Sequence, residues 1–335
     1  MSGKQYLFEL SGEHPTLPFA ELLACLAVSS SEGTVLRSGG GYAVCSLPAI
    51  NLNEVVSRLA LAHRAGEYLG SCAVEEAARF AGGLDLPPGT IAVRVRRFQG
   101  TGAPEESSRL LHKVAEAVTR SRKVDLIRPE VRLRVLWSED LHFYLDEVRV
   151  DREQYEQRHV RSRPFFSPIS LHPRHARALV NLTRVRKGQT LLDPFCGTGG
   201  ILLEASLVGA KVIGSDISAE MIAGCEENMR HFGAPFHRLE ALDVEEVPSE
   251  IGRVDALATD PPYGRSSSTM KEPVSALHGR AFKAIGQVLS PTGLAGVVLP
   301  YPFKGAEGLE LTETHLQRVH RSLDRHYCVL RRRGP

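Results

Sequence analysis

The sequence of 335 residues predicts an α/β protein, with a mainly parallel sheet in its C-terminal half and a smaller α/β region before it. Three observations carry this expectation. After residue 188 short apolar runs alternate with helical stretches, the order that crossovers in a parallel sheet require. The first run, Thr190-Leu191-Leu192-Asp193-Pro194-Phe195, enters a helix through Cys196-Gly197-Thr198-Gly199-Gly200. Three successive runs end on acids, at Asp193, Asp216 and Asp243, the strand ends where ligands of open α/β sheets gather.

Taken in order, the N-terminal region reads as a strand at 5–10, a helix at 20–28, a strand at 41–46 and a helix at 54–62. Gly39-Gly40-Gly41 is a hairpin turn and not a phosphate loop, because no lysine and helix follow in the required spacing. A second α/β stretch follows, with helices at 74–81 and 106–119 and strands at 91–98, 131–136 and 142–148. Residues 151–161 are polar and charged, a connecting helix or linker ahead of the restriction that Pro164 imposes. A helix is expected at 173–182. Strands near Leu191, Val212, Leu239, Ala256 and Val298 then alternate with helices beginning at Gly200, Ser218, Val274 and Gly305, and strands at 311–320 and 327–330 close as a hairpin.

The glycine turn has the makings of a cofactor cradle. Glycines let backbone approach a ligand where a Cβ would collide, and the helix N-terminus adds donors and a positive dipole end. A dinucleotide fingerprint would need glycine where Leu202 stands, so that pattern fails at its third member. Asp216, with Ile217 after it, sits where a carboxylate grips ribose hydroxyls, and Asp243-Val244 can meet an adenine edge.

The most specific chemistry follows the run 254–259, which breaks into Asp260-Pro261-Pro262-Tyr263-Gly264-Arg265. Two prolines force the chain out of a sheet rigidly, so a carboxylate, a bare carbonyl and an aromatic face are presented together. A nucleobase amine is a poor nucleophile because its lone pair is delocalised into the ring. Hydrogen bonds from its two N–H groups to Asp260 and the Pro261 carbonyl favour a more tetrahedral nitrogen, while Tyr263 stacks on the extruded base. The bland alternative is a strand that ends in a tight turn.

Asp193-Pro194-Phe195-Cys196-Gly197-Thr198-Gly199 followed by Asp260-Pro261-Pro262-Tyr263 resembles the S-adenosylmethionine-dependent amino methyltransferases. Arg163-Pro164-Phe165-Phe166-Ser167-Pro168, the helix at 173–182, residues 260–268 and His320-Arg321-Ser322-Leu323 further resemble the archaeal-type tRNA guanine-10 methyltransferases. That resemblance implies a seven-stranded Rossmann-like methyltransferase sheet at 167–335, a linker at 151–166, a THUMP RNA-binding domain at 66–150 and a ferredoxin-like α/β unit at 1–65. It implies S-adenosyl-L-methionine as cofactor, tRNA as partner, a small zinc-binding activator subunit in some members, and methylation of the exocyclic amine of guanosine. Phe166 joins Tyr263 in holding the base.

Formal charge is only +2, but residues 91–187 hold 21 basic and 12 acidic side chains while the flanking segments are mildly acidic. A basic middle is the footprint of a polyanion grip. Arg94, Arg96 and Arg97 lie on one strand, Arg120, Arg122 and Lys123 follow a helix, and Arg132 and Arg134 alternate on another strand; the alternative for each is a solvated face. Six scattered cysteines without a Cys-x-x-Cys pair indicate neither a disulfide framework nor a zinc knuckle, and His172 and His175 lack legible partner ligands, so no metal is expected. With no signal peptide and no run of 18 apolar residues, the cytoplasm is the default. Three rivals remain: a DNA adenine methyltransferase or a protein glutamine methyltransferase, both of which more often place Asn first in the proline motif, and a non-catalytic RNA-binding protein on a methyltransferase fold.

Overall fold

The computed structural model describes residues 3–29, 33–48, 52–120, 122–167, 170–263, 272–320 and 323–334, with backbone alone at His320. The expected motif residues Gly264, Arg265, Pro168, Arg321 and Ser322 lie outside them. The chain divides into two compact units: Met1–Phe19, Ser29–Ser57 and Leu61–Val150 form one, and Ala20–Val28, Arg58–Ala60 and Asp151–Pro335 form the other.

The first unit runs through β1 (Lys4–Leu10), the start of α1 (Leu17–Val28), β2 (Thr34–Gly39), β3 (Tyr42–Leu47), α2 (Leu52–Arg58), β4 (Ala62–Cys72), α3 (Ala77–Gly82), β5 (Ile91–Arg97), α4 (Pro104–Thr119), β6 (Val131–Trp137), β7 (Leu141–Leu145) and β8 (Val148–Arg149). One sheet holds these strands in the order β2-β3-β1-β4-β7-β6-β5, with β8 beside β4. The residue 65/66 division expected from the sequence falls inside β4, which pairs with β1 on one side and β7 on the other. The helix expected to reach residue 62 ends at Arg58 instead, and Ala62 already opens β4, a strand the sequence hid. Its glycines weaken strand propensity but are required: a Cβ on Gly66 would lie 1.5 Å from the Leu145 carbonyl oxygen. Helix α4 crosses between the parallel strands β5 and β6 and buries Leu110, Val114 and Val118, four apart, against Ile91, Val93, Leu133 and Val135. Pro104 opens α4, and the Glu106 carboxylate accepts from the Ala103 N–H at 2.6 Å.

The second unit continues through α5 (Glu153–Gln157), α6 (Pro173–Leu182), β9 (Thr190–Asp193), α7 (Gly200–Leu207), β10 (Lys211–Asp216), α8 (Ala219–His231), β11 (Arg238–Ala241), α9 (Val247–Glu250), β12 (Val254–Thr259), α10 (Val274–Val288), β13 (Leu289–Leu299), β14 (Leu309–His320) and β15 (Leu323–Arg332). Its seven-stranded sheet has the order β11-β10-β9-β12-β13-β15-β14, parallel except where β15 runs antiparallel to β13 and β14. The helix expected from Gly305 is absent. Gly305 and Gly308 adopt φ of +106° and +73°, which a right-handed helix excludes, and the chain turns directly into β14. Helix α7 buries six consecutive residues, Ile201 to Ser206, and so cannot leave one face to water. Among them Glu204 is fully buried and receives Arg158 and Arg177, each at 2.8 Å, with both guanidinium groups over the Tyr155 ring. Tyr155 and Arg158 belong to the segment 151–166, which is packed into this unit. Among the described residues no helix is long and apolar enough to cross a membrane.

Candidate active site

Four acids stand at the carboxyl ends of four neighbouring parallel strands: Asp193 closes β9, Asp216 closes β10, Asp243 lies two residues beyond β11, and Asp260 follows β12 directly. Strand order reverses between β9 and β12, the switch point at which an open α/β sheet leaves a crevice.

Asp193 is buried at 1% exposure and fastens the two sides of that switch point together. Its Oδ1 accepts from the Thr259 hydroxyl at 2.7 Å and from the Phe195 N–H at 3.1 Å. Burial pushes its carboxyl up to about 7, with the charges of Asp216 and Asp260 adding to the rise. Pro194 and Phe195 then carry the chain to Cys196, whose N–H returns to the Ser215 carbonyl at 2.9 Å. Gly197 (φ +48°) and Gly199 (φ +81°) are both left-handed, and Gly199 is the N-cap of α7. A Cβ on Gly199 would meet Cys225 Sγ at 2.6 Å, whereas one on Gly197 would meet nothing within 4 Å. The turn is closed against protein on one side and open on the other. The Cys196 thiol, hydrogen-bonded to Cys225 and buried, is held far above the ordinary thiol range, which disfavours a thiolate nucleophile there.

The turn is braced from behind. Asn228 on α8 donates to the carbonyls of Thr198 and Phe165, both at 3.0 Å, and accepts from the Phe165 N–H at 3.0 Å. Arg163 donates to the Thr198 hydroxyl at 3.3 Å, which ties the Arg-Pro-Phe-Phe segment to the glycines and leaves Phe166 54% exposed. Asp216 accepts from the N–H groups of Gly197 and Ser218, each at 3.0 Å, and burial raises its carboxyl. Ile217 beside it is 49% exposed. Asp243 accepts from the Glu245 N–H at 2.9 Å and pairs with Arg280 at 2.5 Å, while Arg280 also holds Glu272 at 2.6 Å. Val244 is buried with Leu277, Ala281 and Ala284, against which Phe195 packs.

At the proline turn, the Tyr263 hydroxyl donates to Asp260 Oδ1. Burial lifts the Asp260 carboxyl to about 6, against the lowering effect of that hydrogen bond and of the Arg325 charge. The Pro262 carbonyl accepts from His278 Nε2 at 3.1 Å, so Nδ1 accepts from the Tyr301 hydroxyl. Burial lowers the His278 pKa, in keeping with a neutral ring. His278 thereby holds the Pro262 carbonyl of the turn in the protein.

Sequence reasoning missed Asn228, His278 and Arg280. Only His278 left a signal, as a polar residue on the face of α10 that also buries Leu277, Ala281 and Phe282.

In the first unit, Arg94, Arg96, Arg132 and Arg134 share one sheet face, since Arg94 lies opposite Arg134 in the β5–β6 register. Their charges are not equivalent. Arg96 pairs with the buried Glu9 and contacts His63 Nε2 at 2.9 Å, and Arg134 pairs with Asp146 at 2.7 Å. Arg97 donates to the Thr101 carbonyl at 3.1 Å and Arg122 to the Leu86 carbonyl at 2.7 Å. Arg94, Arg120 and Lys123 are exposed. Among the described residues no group of three or more His, Cys, Asp or Glu could hold a metal ion.

The RMKL-like methyltransferase domain family matches residues 160–326. The tRNA (guanine(10)-N2)-dimethyltransferase of Methanothermobacter thermautotrophicus is 34% identical over 96% of this chain and 98% of its own length. The tRNA (guanine(10)-N2)-dimethyltransferase of Methanocaldococcus jannaschii is 29% identical over 97% and 99%. The crystal structure of TrmN from Thermus thermophilus superposes with a TM-score of 0.58 at 23% identity, covering 98% of this chain and all of that one, a likeness of fold.

Proposed function

Because the chain belongs to the tRNA (guanine(10)-N2)-dimethyltransferase family, we propose that it transfers methyl groups from S-adenosyl-L-methionine to the exocyclic 2-amino group of guanosine 10 in tRNA, giving N2-methylguanosine and then N2,N2-dimethylguanosine. The observation that carries this reading is that the Asp260 carboxyl stands one strand from an open glycine turn, with Asp193 and Thr259 bonded between them.

The residues fit the cofactor. Gly197 leaves open space beside the N-terminus of α7 where a ligand could approach the backbone, Asp216 would take ribose hydroxyls, and exposed Ile217 with Val244 and Phe195 would give apolar walls to an adenine. Asp243, already held by Arg280, would meet the adenine edge. Pro194, Cys196, Thr198 and Gly199 shape the turn. When bound, the cofactor supplies an electrophilic methyl group on a positively charged sulfur.

The chain's own contribution is to the nucleophile. Asp260 Oδ2 and the Pro261 carbonyl accept from the two amine N–H groups, which pulls the nitrogen out of conjugation, and Tyr263 with Phe166 holds the extruded base. The surplus proton leaves through Asp260 or water. A monomethylated amine keeps one N–H, enough for one of the two acceptors, so the same site serves a second transfer. We assign RNA capture to residues 1–150, with the THUMP domain at 66–150, and place phosphate on the exposed Arg94, Arg120 and Lys123.

Incubating tRNA transcripts with labelled cofactor and mapping the product by mass spectrometry tests the reading. The expected result is label at guanosine 10 and its loss in Asp260→Ala with cofactor affinity retained; unchanged turnover in that variant would refute the role of Asp260. Label in duplex DNA or protein and not in tRNA would favour the rival methyltransferases. Turnover by the isolated chain would make a small zinc-binding activator subunit dispensable.

A further inference from the structure

A cavity of about 310 Å³ in the second unit is lined by His159, Arg161, Phe166, Ser170, His172 and Arg325. Arg325 lies on β15 opposite Gln317 of β14 and is moored from below. Its side chain hydrogen-bonds the fully buried Tyr327, whose hydroxyl donates to Gln317 Oε1 at 2.9 Å, and Gln317 Nε2 lies 3.1 Å from His175 Nε2. Arg325 Nε is nevertheless buried without a hydrogen-bond partner among the described residues. The same guanidinium stands near enough to Asp260 and Tyr263 for its charge to act on both. A cation with a buried unpaired donor therefore borders the cavity beside the exposed Phe166 ring, and its charge reaches the Asp260 carboxyl.

A carboxylate and a carbonyl cannot choose a base by themselves, because adenine, cytosine and guanine each present an amine with two N–H donors. Guanine alone pairs that amine with a carbonyl oxygen, O6, on the six-membered ring of a purine. Arginine is the side chain whose donor fork suits guanine's acceptors, and a buried donor left unpaired rejects an analogue without the acceptor. We propose that Arg325 is the specificity-determining residue of the base pocket, its guanidinium donating to O6 of the extruded guanine while Asp260 takes the 2-amino group. This rests on the reading that guanosine in tRNA is the substrate.

The test compares kcat/KM of wild type and Arg325→Met on tRNA transcripts carrying guanosine, 6-thioguanosine or 2-aminopurine at the target position. 2-Aminopurine keeps the 2-amino group and lacks O6; 6-thioguanosine keeps the N1 proton and offers a poor acceptor. Work at pH 8.5 keeps Asp260 ionised in both proteins. Wild type should lose about 10- to 100-fold on 2-aminopurine and a smaller factor on 6-thioguanosine. Arg325→Met should lose a similar factor on guanosine and almost nothing further on the analogues, because the two deletions remove one contact. Tyr327→Phe, which loosens the mooring, should narrow the discrimination partway and serves if Arg325→Met fails to fold. Additive losses, with the variants discriminating as strongly as wild type, would overturn the role of Arg325 alone. A wild-type enzyme inactive on guanosine tRNA would overturn the underlying reading instead.

Discussion

Replacing Tyr263 by Phe keeps the ring and deletes the donor to Asp260, which separates the two tasks of that side chain. Burial lifts the Asp260 carboxyl to about 6, and the Tyr263 hydrogen bond is the largest effect opposing the rise. Only the ionised carboxylate is a full acceptor for the amine, so kcat/KM for tRNA should fall about tenfold per pH unit below that value. A hydrogen bond to a charged group is worth about 1.5–3 kcal/mol, and one pKa unit corresponds to about 1.4 kcal/mol. Losing the bond moves the acid limb upward by about one to two units, into the range of about pH 7 to 8. At pH 6.5 Tyr263→Phe should then retain roughly a tenth of wild-type activity, and near pH 8.5 most of it. Single-turnover methyl transfer to tRNA from pH 5.5 to 9 reads the limb directly. An acid limb that stays at its wild-type position, or a loss equal at every pH, would refute the coupling.

Three further outcomes are expected. In Gly197→Ala the left-handed backbone costs about 1–2 kcal/mol and the methyl group enters the open side of the turn, so calorimetry should show cofactor affinity at least about tenfold weaker with the fold intact; unchanged affinity would separate Gly197 from the cofactor. Glu204→Ala strands Arg158 and Arg177 in the interior and should destabilise the second unit by about 3–5 kcal/mol, visible as an earlier urea transition. Asp193 has a folded-state carboxyl at about 7 against an ordinary 3.8, so the folded chain binds the extra proton between those values and its stability falls as pH climbs from about 4 to about 7. Asp193→Asn should flatten that dependence by up to about 4 kcal/mol, and a thermal midpoint with the same pH slope in both proteins would contradict the assignment.

What could be read in the chain was local. The strand, glycine turn and helix at 190–207, and the strand broken by Pro261 and Pro262, are set by neighbours in sequence, and the structure has β9, α7 and β12 there. Strand β4 was hidden because Gly66 and Gly70 weaken the pattern that names a strand, while the contact that demands Gly66 comes from Leu145. The pair Gly305 and Gly308 spoiled a helix that periodicity alone allowed. The braces of the site were invisible for a related reason: Asn228 reaches Phe165, Arg280 reaches Asp243 and His278 reaches Pro262, each across a separation that no spacing rule spans.

The order of apolar runs and the residue types at their ends were enough to determine an α/β sheet, a left-handed glycine turn ahead of a helix and a strand that ends at two prolines, because backbone restriction by glycine and proline acts within a few residues. Which acid is desolvated, which arginine is already spent on a buried carboxylate and which keeps an unpaired donor were decided only in the folded chain. Those properties depend on how far each charge is removed from water and on what stands opposite it, and both are set by strands and helices brought together from distant parts of the sequence.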